Sequence, residues 1–332
     1  MNYSVQEYID TYGLENFLEN LQDPQNISSK DPYTNVIFSA MYNIDERIVV
    51  KIVPLERLED NTTLEIEFIK SLNEKNKKNG MEYLFPTIYS TGTFEDWTKL
   101  FKLKTIYNLP RIDKIRNNYL ERKEGGIMVN KCSYIIYSLH NGSLNMWKNH
   151  THTDNSWKSI LFQLVSGVHY LQSVFPNFKH NDLTPQNILI EKTDCILSIK
   201  WNDIKYTIRT KYIIKFWDFE WAHSDEIPNN NIIQKRDFFQ KTYNITNRQN
   251  IRMDLHYIFN ILYTVTKFIP EESKKFLYNV SYPHIGDCSQ YDNCTTIKDY
   301  RILKDELYES LSWKNTHDLL NNNYFNSLVV ND

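Results

Sequence analysis

The chain has 332 residues, of which 41% are hydrophobic, 24% charged and 14% aromatic, enough apolar material for a real core and against wholesale disorder. With 38 Lys and Arg against 41 Asp and Glu the formal net charge is −3, so no global basic excess points to nucleic acid or to an acidic membrane surface. No apolar run approaches the roughly 18 residues of a membrane span, and the opening MNYSVQEYIDTYG lacks a basic-then-apolar leader; an intracellular, non-secreted chain is expected.

The first segment, 4–22, has Val5, Tyr8, Ile9, Tyr12, Phe17, Leu18 and Leu21 at helical spacing, and a polar stretch, QDPQNISSKDPYTN, follows it. Two β-rich runs come next, VIFSAMYN and ERIVVKIVPL, parted by a turn at Asn43–Asp45. TTLEIEFIKSLNEKNKKNG reads as a helix stopped by Gly80, with lysines near its C-terminal end. FPTIYSTGTF and SYIIYSL read as strands, and the charged stretch between them, about 95–130, as an insertion of helix and loop. WKSILFQLVSGVHYLQSVF is a strongly amphipathic helix. Three strand-like runs follow, CILSIK, IKYTIR and YIIKFW; then come a polar segment from 223 to 252, a long apolar helix RMDLHYIFNILYTVTKF and a helical tail over 271–332. A strand-rich first part and a helix-rich second part give an α+β, two-lobed expectation, the join lying near 140–145. The four cysteines, Cys132, Cys195, Cys288 and Cys294, are too few for a disulfide scaffold, and the last pair has no ligand-spaced histidines.

One constellation carries chemistry. His180-Asn181-Asp182 is followed by Asn187, five residues after the aspartate, and later by Asp218-Phe219-Glu220. A carboxylate beside an attacking hydroxyl and hard oxygen ligands for a divalent cation are what phosphoryl transfer requires. This H-x-D-x-x-x-x-N plus D-F-x arrangement resembles the protein-kinase-like superfamily, over about 29–265. The resemblance implies a bilobal fold: an N-terminal helical extension over 1–28, an antiparallel-sheet N-lobe over 29–140 and a mainly helical C-lobe over 141–332. Asp182 would be the catalytic base, and Asn187 and Asp218 the metal ligands. Lys51, in Val49-Val50-Lys51-Ile52, would reach the phosphates of ATP. Glu65, in the following helix, would pair with it; Glu67 is the rival, on a different helix face. Tyr134–Gly142 resembles the hinge that receives adenine, with Tyr137, Ser138 and His140 as candidate contacts. Asp254 would hold the backbone of the catalytic loop, and His180 would be a brace rather than a base.

Several positions depart from the pattern. Counting back 15 residues from Lys51 places the valine that ends the glycine-rich loop at Val36, and its three glycines at Ser29, Asp31 and Thr34. Glu220 stands for the glycine after Asp-Phe, Thr184 for the loop lysine, and no A-P-E motif follows. The 36 residues from Asp182 to Asp218 imply an enlarged hairpin before the metal-binding aspartate. Together these traits resemble the serine/threonine kinases of large DNA viruses, the poxvirus morphogenesis kinase and giant-virus kinases. That implies ATP with Mg²⁺ or Mn²⁺, protein substrates with viral structural proteins among the candidates, no nucleic-acid partner, a monomer, and a place in host cytoplasm or virion. Two other readings stay open: a pseudokinase scaffold, and a choline/aminoglycoside-type small-molecule kinase. Thr242, Tyr243 and Thr246 fall in the activation-segment region.

Overall fold

The computed structural model describes residues 4–27, 35–56, 61–79, 81–201, 204–234, 245, 250–281 and 308–328. The chain divides into two compact units, Met1–Leu72 with Pro86–Leu139, and Asn73–Phe85 with His140–Asp332.

In the first unit, the N-terminal helical pattern forms two short helices, α1 (Val5–Tyr12) and α2 (Leu14–Glu19). Ser4 and Glu7 cap α1 reciprocally, and Gly13, at φ 84°, ends it and opens the next. The polar stretch after them holds a strand, β1 (Gln22–Asn26), which no alternation of apolar residues announces. It exists because it pairs with β2 (Val36–Asn43), and Asp23 is ion-paired with Arg47 of β3 (Glu46–Glu56). After α3 (Asn61–Asn79) come β4 (Ile88–Phe94), the helices α4 (Trp97–Leu100), α5 (Lys104–Tyr107) and α6 (Ile112–Glu124), and β5 (Met128–Ser138). The strands form one antiparallel sheet in the order β1-β2-β3-β5-β4.

Strand alternation gives this sheet two different faces. One presents Val36, Phe38, Ile48, Val50, Ile52 and Ile136, and these join a buried cluster with Phe17, Leu18, Trp97, Ile106 and Tyr119. The insertion at 95–130 is therefore helical and, with α1 and α2, supplies the apolar cover for that face. The other face carries Ile37, Val49, Lys51, Ile135 and Tyr137, as the registers Ile37↔Lys51, Lys51↔Ile135 and Val49↔Tyr137 require.

The second unit is built on α8 (Asp154–Val174), preceded by the single turn α7 (Leu144–Trp147). Thr153 caps α8, its hydroxyl accepting from Ser156 N–H at 3.3 Å. Fourteen residues of α8 from Trp157 to Leu171 are buried, because the helix is packed by α10 (Met253–Val265), α11 (Glu271–Ser281), α12 (Thr316–Leu320) and a two-stranded sheet. The three strand-like runs merge into two long strands, β6 (Ile188–Trp201) and β7 (Ile204–Phe216), paired as one antiparallel hairpin. The register slips between Lys192↔Tyr212 and Cys195↔Thr210, so Thr193 and Asp194 stand opposite the single Lys211. Gly167 of α8 faces Phe216 so closely that a Cβ there would lie 2.1 Å from the ring. A short α9 (Asn230–Gln234) follows the hairpin. Among the described residues no helix is long and apolar enough to cross a membrane.

Candidate active site

Among the described residues of the first unit, the ion pair buried on both sides is Lys51 with Glu65. Lys51 lies in mid-strand with neighbours on both sides, and its Nζ donates to Glu65 Oε1 at 3.0 Å and Oε2 at 2.8 Å. Both side chains are buried, 5% and 1% exposed. Glu67 is exposed, so the i, i+2 alternation on α3 resolves the rivalry: Glu65 points at the sheet. Tyr137 shares the Lys51 face, opposite Val49, while Ser138 sits opposite Ile48, its Oγ accepting from Thr87 N–H at 3.1 Å.

Val36 is a correction. Its register partner is Ile52, so its side chain lies on the face opposite to Lys51, 1% exposed inside the cluster covered by the helices. The residue beside Lys51 on the Lys51 face is Ile37. Counting back along a strand is safe only to within one residue, and one residue is the difference between the two faces. Ser29, Asp31 and Thr34 lie outside the described residues, as do Gly80, Thr242, Tyr243, Thr246, Cys288 and Cys294.

In the second unit a loop of irregular backbone runs from Phe178 to Asn187, tied down at many points. Asp254, at the start of α10 and only 2% exposed, accepts His180 N–H at 2.7 Å and Asn181 N–H at 3.0 Å, one on each carboxylate oxygen. Burial pushes its carboxyl pKa up, while the charge on His180 and these two donors pull it down. His180 Nε2–H donates to Trp217 O at 3.0 Å, and its ring lies 5.1 Å from that of Phe219; the imidazole packs against the strand end that carries Asp218. Asn181 adopts φ 63°, and its amide donates to Trp221 O at 2.9 Å.

Asn187 closes the loop. Its Nδ2 donates to Asp182 O at 2.9 Å and to Asp182 Oδ2 at 2.8 Å, fixing the carboxylate. Trp217 N–H donates to Asn187 O at 3.1 Å, so the hairpin brings Asn187 next to the peptide that precedes Asp218. Asp218 has a left-handed backbone, φ 66° and ψ 64°, a conformation Asp tolerates better than most residues and one held by its surroundings. Thr184 is buried, its N–H bonded to Asp182 O at 2.8 Å.

The sequence did not single out two further braces. Asn229 donates from Nδ2 to Glu220 O and Ala222 O, both at 3.3 Å, and its N–H donates to His223 Nδ1 at 3.0 Å. Burial, helped by the nearby Lys179 charge, depresses the His223 pKa, consistent with a ring nitrogen that accepts. Lys215 of β7 binds Tyr83 O at 3.1 Å and Glu191 Oε2 at 3.0 Å. His140 belongs to this cluster: its Nδ1 is 3.8 Å from Glu191 Oε2, and burial, with Lys215 adding repulsion, lowers its pKa to about 4. No residue-type motif marks either brace; each binds backbone carbonyls, which any sequence provides, together with one side chain, His223 for Asn229 and Glu191 for Lys215.

The family model of the poxvirus serine/threonine protein kinases matches residues 35–329. A protein of Acanthamoeba polyphaga mimivirus, provisionally named serine/threonine-protein kinase R400, is 26% identical over 223 residues. That alignment covers 62% of this chain and spans 40% of the mimivirus protein. With a match over most of its length, the chain belongs to the poxvirus serine/threonine protein kinase family.

Proposed function

We propose that the chain is an ATP-dependent serine/threonine protein kinase acting on protein hydroxyls. The observation that carries this reading is the Asp182–Asn187 bond inside a loop hung from Asp254, because it aims one carboxylate and leaves one amide oxygen for a hard cation. The donor set fits Mg²⁺, or Mn²⁺ in its place: with the Asn187 nitrogen committed to Asp182, Asn187 Oδ1 and the Asp218 carboxylate would be the hard oxygens that hold it. A bound divalent ion supplies neutralisation of phosphate charge. Lys51, held extended by Glu65, binds phosphate oxygens; Asp182 orients the Ser or Thr hydroxyl and accepts its proton as the new O–P bond forms and the bond to the ADP oxygen breaks. His180 holds the loop against Trp217 and transfers no proton. Thr184 brings no charge where a loop lysine would help to bind the γ-phosphate, so turnover is slow unless the substrate completes the site.

Tyr137, Ser138 and the backbone around His140 receive the adenine. The expected setting is host cytoplasm or virion, as a monomer, with viral structural proteins among the substrates. Purified protein with Mg²⁺, radiolabelled ATP and mixed protein substrates should incorporate label on Ser or Thr, and Asp182→Ala should abolish it. No incorporation, joined to no ATP-induced thermal shift, would instead establish a pseudokinase scaffold; label on a small alcohol alone would establish a small-molecule kinase.

A further inference from the structure

A second polar concavity lies within the second unit, where the β6–β7 hairpin meets the start of α8. It is a trough of about 650 Å³, with Arg209, Lys211 and Asp194 of the hairpin and Thr151, Asn155 and Ser156 of the helix start among its walls. The catalytic loop contributes nothing to it. Its floor is rigid: Ser159 and Thr210 are buried and bonded hydroxyl to hydroxyl at 2.8 Å, and Gln163 Nε2 donates to Ser159 Oγ at 3.1 Å. One wall is aromatic, His152 stacked on Trp147 at 3.7 Å with its edge towards Tyr212.

Cations outnumber acids on this face, where Arg209 and Lys211 stand against Asp194. Alternation along β7 exposes Lys205, Arg209 and Lys211 on one side, while the buried Tyr206, Ile208 and Thr210 face inward. The slipped register, two residues against Lys211, falls at the trough and brings Asp194 to its rim. Arg209 and Asp194 are 3.4 Å apart, but their side chains are 78% and 61% exposed, so the pair is weak and a doubly charged anion can displace the carboxylate. Asp154, the acid in the first turn of α8, is bonded instead to Ser273 N–H at 3.1 Å.

We propose that this trough docks a phosphoserine or phosphothreonine within an extended acidic protein segment, so that the enzyme engages substrates that already carry a phosphate. Arg209 and Lys211 take the phosphate oxygens, the α8 start adds its positive end, and Lys205 meets the flanking acids. The cation stripe from Lys205 to Lys211 spans about 20 Å at the rise of a strand, several times a phosphate's width. The rim is exposed on both sides. Both features suit a chain segment better than a free anion.

The inference deepens the protein-kinase reading, yet its test contains no phosphoryl transfer and so fails or succeeds separately. Full-length protein is titrated, without ATP, into a short fluorescein-labelled acidic peptide with and without one phosphothreonine, read by anisotropy. The phosphorylated form should bind about tenfold tighter or more, the scale of one charge-assisted hydrogen bond. Arg209→Gln with Lys211→Gln, both at exposed positions, should erase that preference with an unchanged melting curve, while Asp182→Ala should retain it. Equal affinity for the two peptides would overturn the proposal, as would a preference that survives the double variant. Inorganic phosphate binding as tightly as the phosphopeptide would overturn it too, because the segment would then contribute nothing.

Discussion

The two halves of the candidate chemistry are held in opposite ways. In the first unit Lys51 sits in regular strand and Glu65 in regular helix, so the backbone is satisfied by its own ladders and one side-chain pair sets the geometry. In the second unit the backbone between Phe178 and Asn187 has a single bridge, Lys179 with His223, and otherwise no ladder. It is held partly from outside, by Asp254 and by the bonds of His180, Asn181 and Asn187 to the Trp217–Trp221 stretch, and partly by Asn187 bonding back to Asp182. An irregular loop can aim a carboxylate that no helix or strand would aim, but it needs many partners to hold one conformation.

That contrast can be broken experimentally. The largest expected effect is on the loop's reacting group: Asp182→Ala should lower phosphoryl transfer by about a thousandfold or more, within the range for a lost general base, with folding unchanged by thermal melt. Asp254→Ala should cost about 3 kcal/mol, since two buried N–H donors lose their acceptor at ~1–3 kcal/mol each; chemical denaturation would show it, and activity should fall with the fraction folded. Glu65→Gln should reduce kcat/KM by roughly tenfold to a hundredfold by leaving the Lys51 charge buried beside a neutral partner, whereas Glu67→Gln should change nothing measurable. If the Glu67 variant were the damaging one, the register of α3 would be wrong.

A gentler probe uses His140. Its folded pKa, about 4, lies below the 6.5 of an unhindered histidine, so the unfolded chain binds the proton first as pH drops. Its contribution to stability is full above pH 6.5 and is lost progressively as pH falls through the folded value near 4. The loss should be on the order of 1–2 kcal/mol once local relaxation is allowed for. Comparing urea midpoints of wild type and His140→Gln across that window isolates it. Smallest of all, Ile37→Ala should raise the KM for ATP a few-fold, while Val36→Ala should cost stability and leave that KM alone.

The candidate loop stood out because the proposed chemistry fixes residue identity there: phosphoryl transfer would need Asp182, Asn187 and Asp218 at set spacings whatever the fold around them. Glu65 was legible for a weaker reason, helix periodicity, and the structure settles its rivalry with Glu67. Strand β1 was not legible, because Gln-Asp-Pro-Gln-Asn has no strand pattern of its own and forms only against β2. The hairpin read as three runs because the polar Thr210–Lys211, opposite the slipped register at Thr193–Asp194, parts two apolar runs without ending β7. Val36 failed by a single residue, the smallest error a strand can register and the one that exchanges its faces. The braces at Asn229 and Lys215 were invisible since much of what they bind is main-chain carbonyl, and their side-chain partners, His223 and Glu191, stand in no motif with them.

Gly167 has a consequence for genetics. A glycine in the middle of a helix gives up about 1 kcal/mol relative to alanine, yet here the missing methyl is what admits the Phe216 ring, two residues before Asp218. Gly167→Ala would therefore strengthen the helix locally while wedging it from the strand that leads into Asp218. Opposed effects of that kind yield proteins that work when cool and fail when warmed, which makes this position the natural place to seek a conditional allele of the gene.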